Sequence, residues 1–137
     1  MNSSDPLEGC VRALFSDLSH AGEPAGVDPE GLLHGEAGRE SEGVRVRFTI
    51  CVGQDRVLEA RYRAYGCPHT LATCEWLARS LAGRPTSALR AGAPGGLDGL
   101  GGPLQWAQRL GVPPAKLGRL LTVEDALRNA LSGLTFP

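Results

Sequence analysis

Residues 43–65 read GVRVRFTICVGQDRVLEARYRAY, and the alternation within them decides the fold. Val44, Val46, Phe48, Ile50 and Val52 are apolar, with Arg45, Arg47, Thr49 and Cys51 between them. A period of two sends every second side chain to the same face, so this is a strand with one face buried. Gly53-Gln54-Asp55 is turn chemistry. The return limb puts Leu58, Ala60, Tyr62 and Ala64 on one face and Glu59, Arg61 and Arg63 on the other, which makes an antiparallel hairpin. The polar side, with Arg45, Arg47, Arg61 and Arg63, reads as a solvated sheet face, and Cys51 is expected to be half exposed on it.

Helical spacing dominates on both sides of the hairpin. Asp5 and Pro6 suit the start of a helix whose apolar face carries Leu7, Val11, Leu14 and Leu18, with Cys10 beside it and Gly22 and Pro24 ending it. After Gly66 breaks the strand, Pro68 opens a helix in which Leu71, Cys74, Ala78 and Leu81 share a stripe. Cys74 therefore reads as a small buried hydrophobe. Pro103 opens a short helix stopped by Gly111, and Val112 to Pro114 should be extended and exposed, since two prolines cannot donate backbone hydrogen bonds. Thr122 reads as the N-cap of a last helix carrying Ala126, Leu127, Ala130 and Leu131. Glycine and proline concentrate in 21–38 and 92–102, both expected to be flexible loops; His20 and His34 carry no signal there. The fold class is α+β, a small antiparallel sheet packed against several helices, in a single domain over 1–137.

Bulk properties exclude several function classes. The net charge of −1 gives no global pull toward nucleic acid or an anionic membrane. No apolar run approaches the ~18 residues that span a bilayer. Residues 1–6 are polar and acidic, unlike a secretory signal, so a cytoplasmic location is expected. Four cysteines at 10, 51, 67 and 74 do not read as a disulfide framework there. Neither glycine-rich stretch matches a phosphate-binding loop or a dinucleotide fingerprint.

Two short segments point further. Tyr65-Gly66-Cys67 ends the hairpin, and Val112-Pro113-Pro114-Ala115-Lys116 follows about fifty residues later. Together they resemble the iron–sulfur cluster assembly scaffold family (IscU and the N-terminal domain of NifU), over roughly 37–131. The resemblance implies a three-stranded antiparallel sheet on helices, with the third strand drawn from before Gly43. It also implies a non-enzymatic role in cluster biogenesis, alongside a cysteine desulfurase and an Hsp70-type chaperone that grips the Pro-Pro-x-Lys segment. By that resemblance Val112, Pro113, Pro114 and Lys116 are partner-binding residues. No nucleic-acid or membrane partner is expected, and the chain is expected to be a monomer or weak dimer.

In that family three cysteines and an aspartate converge at one end of the domain. Here Cys67 matches the second cysteine, in Tyr-Gly-Cys for the family's F-G-C. Glu40 and Glu42 fall where the family's A-C-G-D has its cysteine and aspartate. In Pro113-Pro114-Ala115-Lys116-Leu117-Gly118-Arg119, Gly118 and Arg119 fall where the family's histidine and third cysteine would be. The resemblance therefore brings Glu40 and Arg119 together, as a charge-assisted pair replacing two cluster ligands. One thiolate cannot hold a [2Fe–2S] cluster, which needs four ligands. A mixed set of Cys67, His69, Glu40 and Glu42 would suit zinc or ferrous iron.

Three readings stay open. The chain is a diverged carrier of an iron–sulfur cluster or metal through Cys67. Alternatively, it is a metal-free pseudo-scaffold that binds the desulfurase or the chaperone and modulates assembly. Third, Cys67, whose thiol pKa should fall at a helix N-terminus, is a sulfur acceptor or a catalytic nucleophile.

Overall fold

The computed structural model describes residues 13–14, 16–22, 31–86 and 102–132. Strands β1 (Leu32–Arg39), β2 (Val44–Gly53) and β3 (Arg56–Tyr65) form an antiparallel sheet in the order β1-β2-β3, so the alternating strand lies in the middle. Helices α1 (Pro68–Leu81), α2 (Pro103–Leu110) and α3 (Leu117–Leu131) follow. One face of the sheet is closed by α1 against β3 and by α3 against β1 and β2. The core formed there holds Phe48, Ile50, Tyr62, Leu77, Leu81, Trp106, Leu120 and Leu127. Among the described residues no helix is long and apolar enough to cross a membrane.

The hairpin forms as its alternation requires, with one shift. Pairing runs from Arg45 opposite Tyr65 to Cys51 opposite Glu59, then slips by one so that Val52 meets Val57. Leu58 is the residue the slip absorbs. It is 55% exposed, and Val57 takes the inward place expected of it. Gln54 and Asp55 both have positive φ, as a two-residue hairpin turn of the primed type demands. Cys51 is buried rather than half exposed. It sits in the central strand, with Leu32 on one side and Glu59 on the other, so neighbours on both sides cover it.

The expected third strand is β1, which occupies 32–39 and so takes over the end of the stretch 21–38 read as loop. Gly35, part of that loop signal, sits inside the strand for a packing reason. A Cβ there would run into the backbone of Ala126 and Ala130, so glycine lets α3 cross directly on β1. Asn129 Nδ2 then donates to the Glu36 carbonyl at 2.8 Å. Of the other loop calls, 23–30 and 92–101 lie outside the described residues, and Gly102 caps α2.

Two helix boundaries also differ from expectation. Helix α3 begins at Leu117 rather than after Thr122, whose hydroxyl bonds back to the Gly118 carbonyl at 3.4 Å. A threonine inside a helix can satisfy itself in this way, and so gives a false N-cap signal. Most of the expected first helix, over 5–18, lies outside the described residues. Leu14 reaches the core, but the chain has left the helix before Leu18 and pairs instead with β3, Ala21 bridging Tyr62 in parallel.

Candidate functional site

Three segments meet at the end of the sheet where β3 leaves it. The first is the 3-10 turn Glu40–Glu42, closed by Gly43 at a φ of 86°. The second is the Gly66-Cys67 junction into α1. The third is the 3-10 turn Pro114–Lys116 leading into α3. Register ties the first two, since Arg45 pairs with Tyr65. Arg119 ties the third to the first, donating from Nη1 to the Gly43 carbonyl at 2.7 Å.

Cys67 is the N-cap of α1, with Pro68 at the first helical position. Its carbonyl accepts from Leu71 at 3.1 Å, and its Sγ lies 3.5 Å from Thr70 Oγ1 and 4.0 Å from His69 Nδ1. Gly66 makes room for this arrangement, because a Cβ there would press on the Thr70 side chain at 3.0–3.1 Å. Partial burial pushes the thiol pKa up. Hydrogen bonds from the Thr70 side chain, from the Thr70 and His69 backbones, and the Lys116 charge outweigh it and leave the thiol below its ordinary value. The group is half-buried, so it is both activated and reachable.

The other expected ligands are not assembled around it. His69 is buried beside Cys67, but Glu40 and Glu42 are both exposed on their own turn. Among the described residues no group of three or more His, Cys, Asp and Glu is placed to hold a metal ion. Glu40 is also not the partner of Arg119 in any ion pair among the described residues; the guanidinium holds the Gly43 carbonyl instead. Among the described residues the donor set at Cys67 is one thiol and one imidazole with an ammonium nearby, which does not fit a [2Fe–2S] cluster or a four-coordinate zinc. Cys51, paired with Glu59 toward the other end of the hairpin, and Cys74, about two turns along α1, are not placed to complete it. Burial and the Glu75 charge push the Cys74 thiol far above its ordinary value.

The proline segment is half as expected. Pro113 is extended (φ −64°, ψ 149°) and exposed, and Pro114 is exposed at the start of its 3-10 turn. Val112, expected to be exposed and partner-binding, is only 6% exposed. Its amide bonds the Ala107 carbonyl at 2.9 Å just after Gly111 ends α2, which folds the side chain back into the core. Lys116 is partly exposed.

One cluster was not foreseen. Glu75 is fully buried on α1 and accepts four hydrogen bonds. Oε1 takes the His20 amide and the Tyr62 hydroxyl, both at 3.0 Å, while Oε2 is 2.7 Å from His20 Nδ1 and from Arg79 Nε. Burial pushes this carboxyl up, but the bonds from Arg79, His20 and Tyr62 outweigh it, and it ends below its ordinary value. The Tyr62 hydroxyl is pushed well above its own range by burial and by the Glu75 charge. Arg79 also donates to the Asp17 carbonyl at 2.7 Å, so the cluster fastens residues 17–22 to α1 and β3. Only the Glu75–Arg79 spacing of four was visible in sequence; His20 and Tyr62 come from distant segments.

A family model described as NifU-like N terminal domain matches residues 11–91. A curated relative, the bifunctional protein NifU/MnmA of Rubrobacter xylanophilus, is 40% identical over 113 residues. The match takes in 81% of this chain, and the chain spans only 21% of the relative's length. Among solved structures, a protein of Fervidobacterium islandicum AW-1 named as an iron–sulfur cluster assembly scaffold for the SUF system superposes with a TM-score of 0.66. It is 14% identical, and the match covers 96% of this chain and 100% of that one. The N-terminal part of a nitrogen-fixing NifU-like protein from Brucella abortus gives 0.61 at 16% identity, covering 97% and 100%. At these identities the two structures speak for the fold.

Proposed function

The chain belongs to the NifU-like N-terminal domain family, and on that premise we propose that it serves iron–sulfur cluster assembly as a cytoplasmic accessory that carries no cluster of its own. The observation that carries this reading is Arg119. It stands where the family resemblance puts a cluster thiolate, and its guanidinium is engaged with the Gly43 carbonyl at 2.7 Å. A cation at that point repels iron and occupies the space a third ligand would need. The cluster is then a cargo of the pathway rather than a resident of this chain. The partners this reading implies are the cysteine desulfurase and the Hsp70-type chaperone. The surface offered to the chaperone is reduced to Pro113, Pro114 and Lys116.

The lowered thiol of Cys67 favours a second role within the same accessory function, that of sulfur acceptor. The Cys67 thiolate attacks the outer sulfur of a cysteine persulfide on the desulfurase. A new sulfur–sulfur bond forms on Cys67, the old one breaks, and the desulfurase cysteine leaves as its thiolate. Lys116 offsets the negative charge at Cys67 throughout.

Iron and acid-labile sulfide content of anaerobically purified protein, beside a Cys67→Ser variant, tests the first reading. Protein that is folded but contains neither is the expected result. Stoichiometric iron and sulfide that vanish in the variant would restore the carrier reading, and stoichiometric zinc without sulfide would favour the Cys67/His69 set. The acceptor role is tested by incubation with a loaded desulfurase, where a mass gain of one sulfur on Cys67 is expected.

A further inference from the structure

The hydroxyl of Thr70 behaves unlike every other described hydroxyl in the three helices. Thr73 donates to the His69 carbonyl at 2.8 Å, Ser80 to the Trp76 carbonyl at 2.8 Å and Thr122 to the Gly118 carbonyl at 3.4 Å. Each returns to the carbonyl four residues back, the ordinary way for a hydroxyl to satisfy itself inside a helix. Thr70 stands in the first turn of α1, so the carbonyl four residues back belongs to Gly66, outside the helix. Its Oγ1 lies instead 3.5 Å from Cys67 Sγ. The Thr70 side chain is fully buried, and among the described residues that sulfur is the partner its hydroxyl has. Gly66 leaves it the room, since a Cβ there would meet Thr70 Oγ1 at 3.1 Å. A buried hydroxyl is thus committed to a thiol that is itself only half-buried.

On the sulfur-acceptor reading of Cys67, on which this rests, we propose that Thr70 is a positioning residue for sulfur transfer, its hydroxyl orienting Sγ and donating to it once the thiol proton has left. A hydroxyl can both accept and donate. Thr70 accepts from the neutral thiol, the proton passes to water at the half-buried sulfur, and the hydroxyl turns to donate to the thiolate. Sγ is then held from its buried side, and its accessible side is left for the incoming persulfide. Sγ bonds to the outer sulfur of the donor persulfide, the donor's sulfur–sulfur bond breaks, and the donor leaves as its thiolate. Sγ ends as the inner, uncharged sulfur of the new persulfide. The Thr70 bond is therefore strongest before transfer, and it acts on the attacking thiolate. His69 Nδ1, at 4.0 Å from Sγ, is the more distant neighbour.

The test is the single-turnover rate of persulfide formation on Cys67, followed by mass. Two donors are used, a loaded cysteine desulfurase and glutathione persulfide, which needs no protein contact. Thr70→Val keeps the shape and removes the hydroxyl; it should slow both transfers at least about fivefold and leave the half-saturating desulfurase concentration unchanged. Thr70→Ser keeps the hydroxyl and should restore most of the rate. Thr73→Val, whose hydroxyl serves the His69 carbonyl, should react like wild type. Circular dichroism checks the fold of each variant, and Thr70→Ala replaces Thr70→Val, with the same expected loss, if the valine does not fold. A threonine that only fills space would give the opposite order, serine slower than valine. That order, or Thr70→Val reacting at the wild-type rate, would overturn the proposal while leaving Cys67 as acceptor. Wild type loaded by glutathione persulfide but not by the desulfurase, with Thr70→Val still slow, would remove the desulfurase as donor and support the role of Thr70. Wild type loaded by neither donor would overturn both.

Discussion

Replacing Glu75 by glutamine changes almost no volume and removes one charge, which makes it a clean probe of the buried cluster. An amide oxygen in the place of Oε1 keeps the His20 amide and the Tyr62 hydroxyl, both at 3.0 Å. An amide nitrogen in the place of Oε2 then faces Arg79 Nε, a donor meeting a donor, where the carboxylate accepted at 2.7 Å. Breaking one side of a buried ion pair costs about 3–5 kcal/mol. The Arg79 side chain is 39% exposed and can recover water, which lowers the expectation to about 2–3 kcal/mol. For a chain of this length that is a drop of roughly 10 °C in Tm, measured by circular dichroism at pH 7. The pH dependence has a definite sign. The Glu75 carboxyl sits below its ordinary value in the folded protein, so its contribution is complete above the ordinary glutamate pKa. It fades as pH falls through the folded value, so the gap between wild type and E75Q should close below about pH 4. The His20 amide should keep its protection in the variant, because the amide oxygen retains that bond. A gap under ~2 °C at pH 7, or one that stays constant down to pH 3, would refute the reasoning.

Three further outcomes follow from the same geometry. Cys67 should be alkylated well before Cys51 and Cys74, and Lys116→Ala should move the midpoint of its rate–pH profile upward; equal rates at the three thiols would contradict the assigned environments. Gly35→Ala should lose about 3 kcal/mol or fail to fold, because its methyl meets the backbone of α3; an unchanged Tm in a denaturation scan would mean that α3 can slide. Arg119→Ala should cost about 1–2 kcal/mol, with faster hydrogen exchange confined to the Glu40–Glu42 turn; global loosening would count against a local tether.

Different parts of the molecule were legible to different degrees. The strict alternation over 44–52 left no other structure for β2, and Pro68 and Pro103 each opened a helix where expected. The resemblance brought the Glu40 turn, Cys67 and the start of α3 to one end of the domain, and Arg119 reaching Gly43 agrees with it. Its partner was misjudged: a carboxylate is the stronger acceptor, but the turn leaves Glu40 exposed and presents the Gly43 carbonyl to the guanidinium. Val112 reads as part of an exposed proline segment until the turn at Gly111 folds it inward.

Short-range order was written in the chain: period two for the hairpin, prolines and glycines for the helix ends, and the motif residues for the family. These depend on neighbours within a few positions, where sterics and backbone hydrogen bonding act directly. Tertiary structure decided the rest. It turned Leu58 out at the β2–β3 slip, made Gly35 a crossing point rather than a loop residue, and gathered His20, Tyr62 and Arg79 around Glu75. Each of those depends on segments far apart in sequence, and burial and charge pairing act only once folding has brought them into contact.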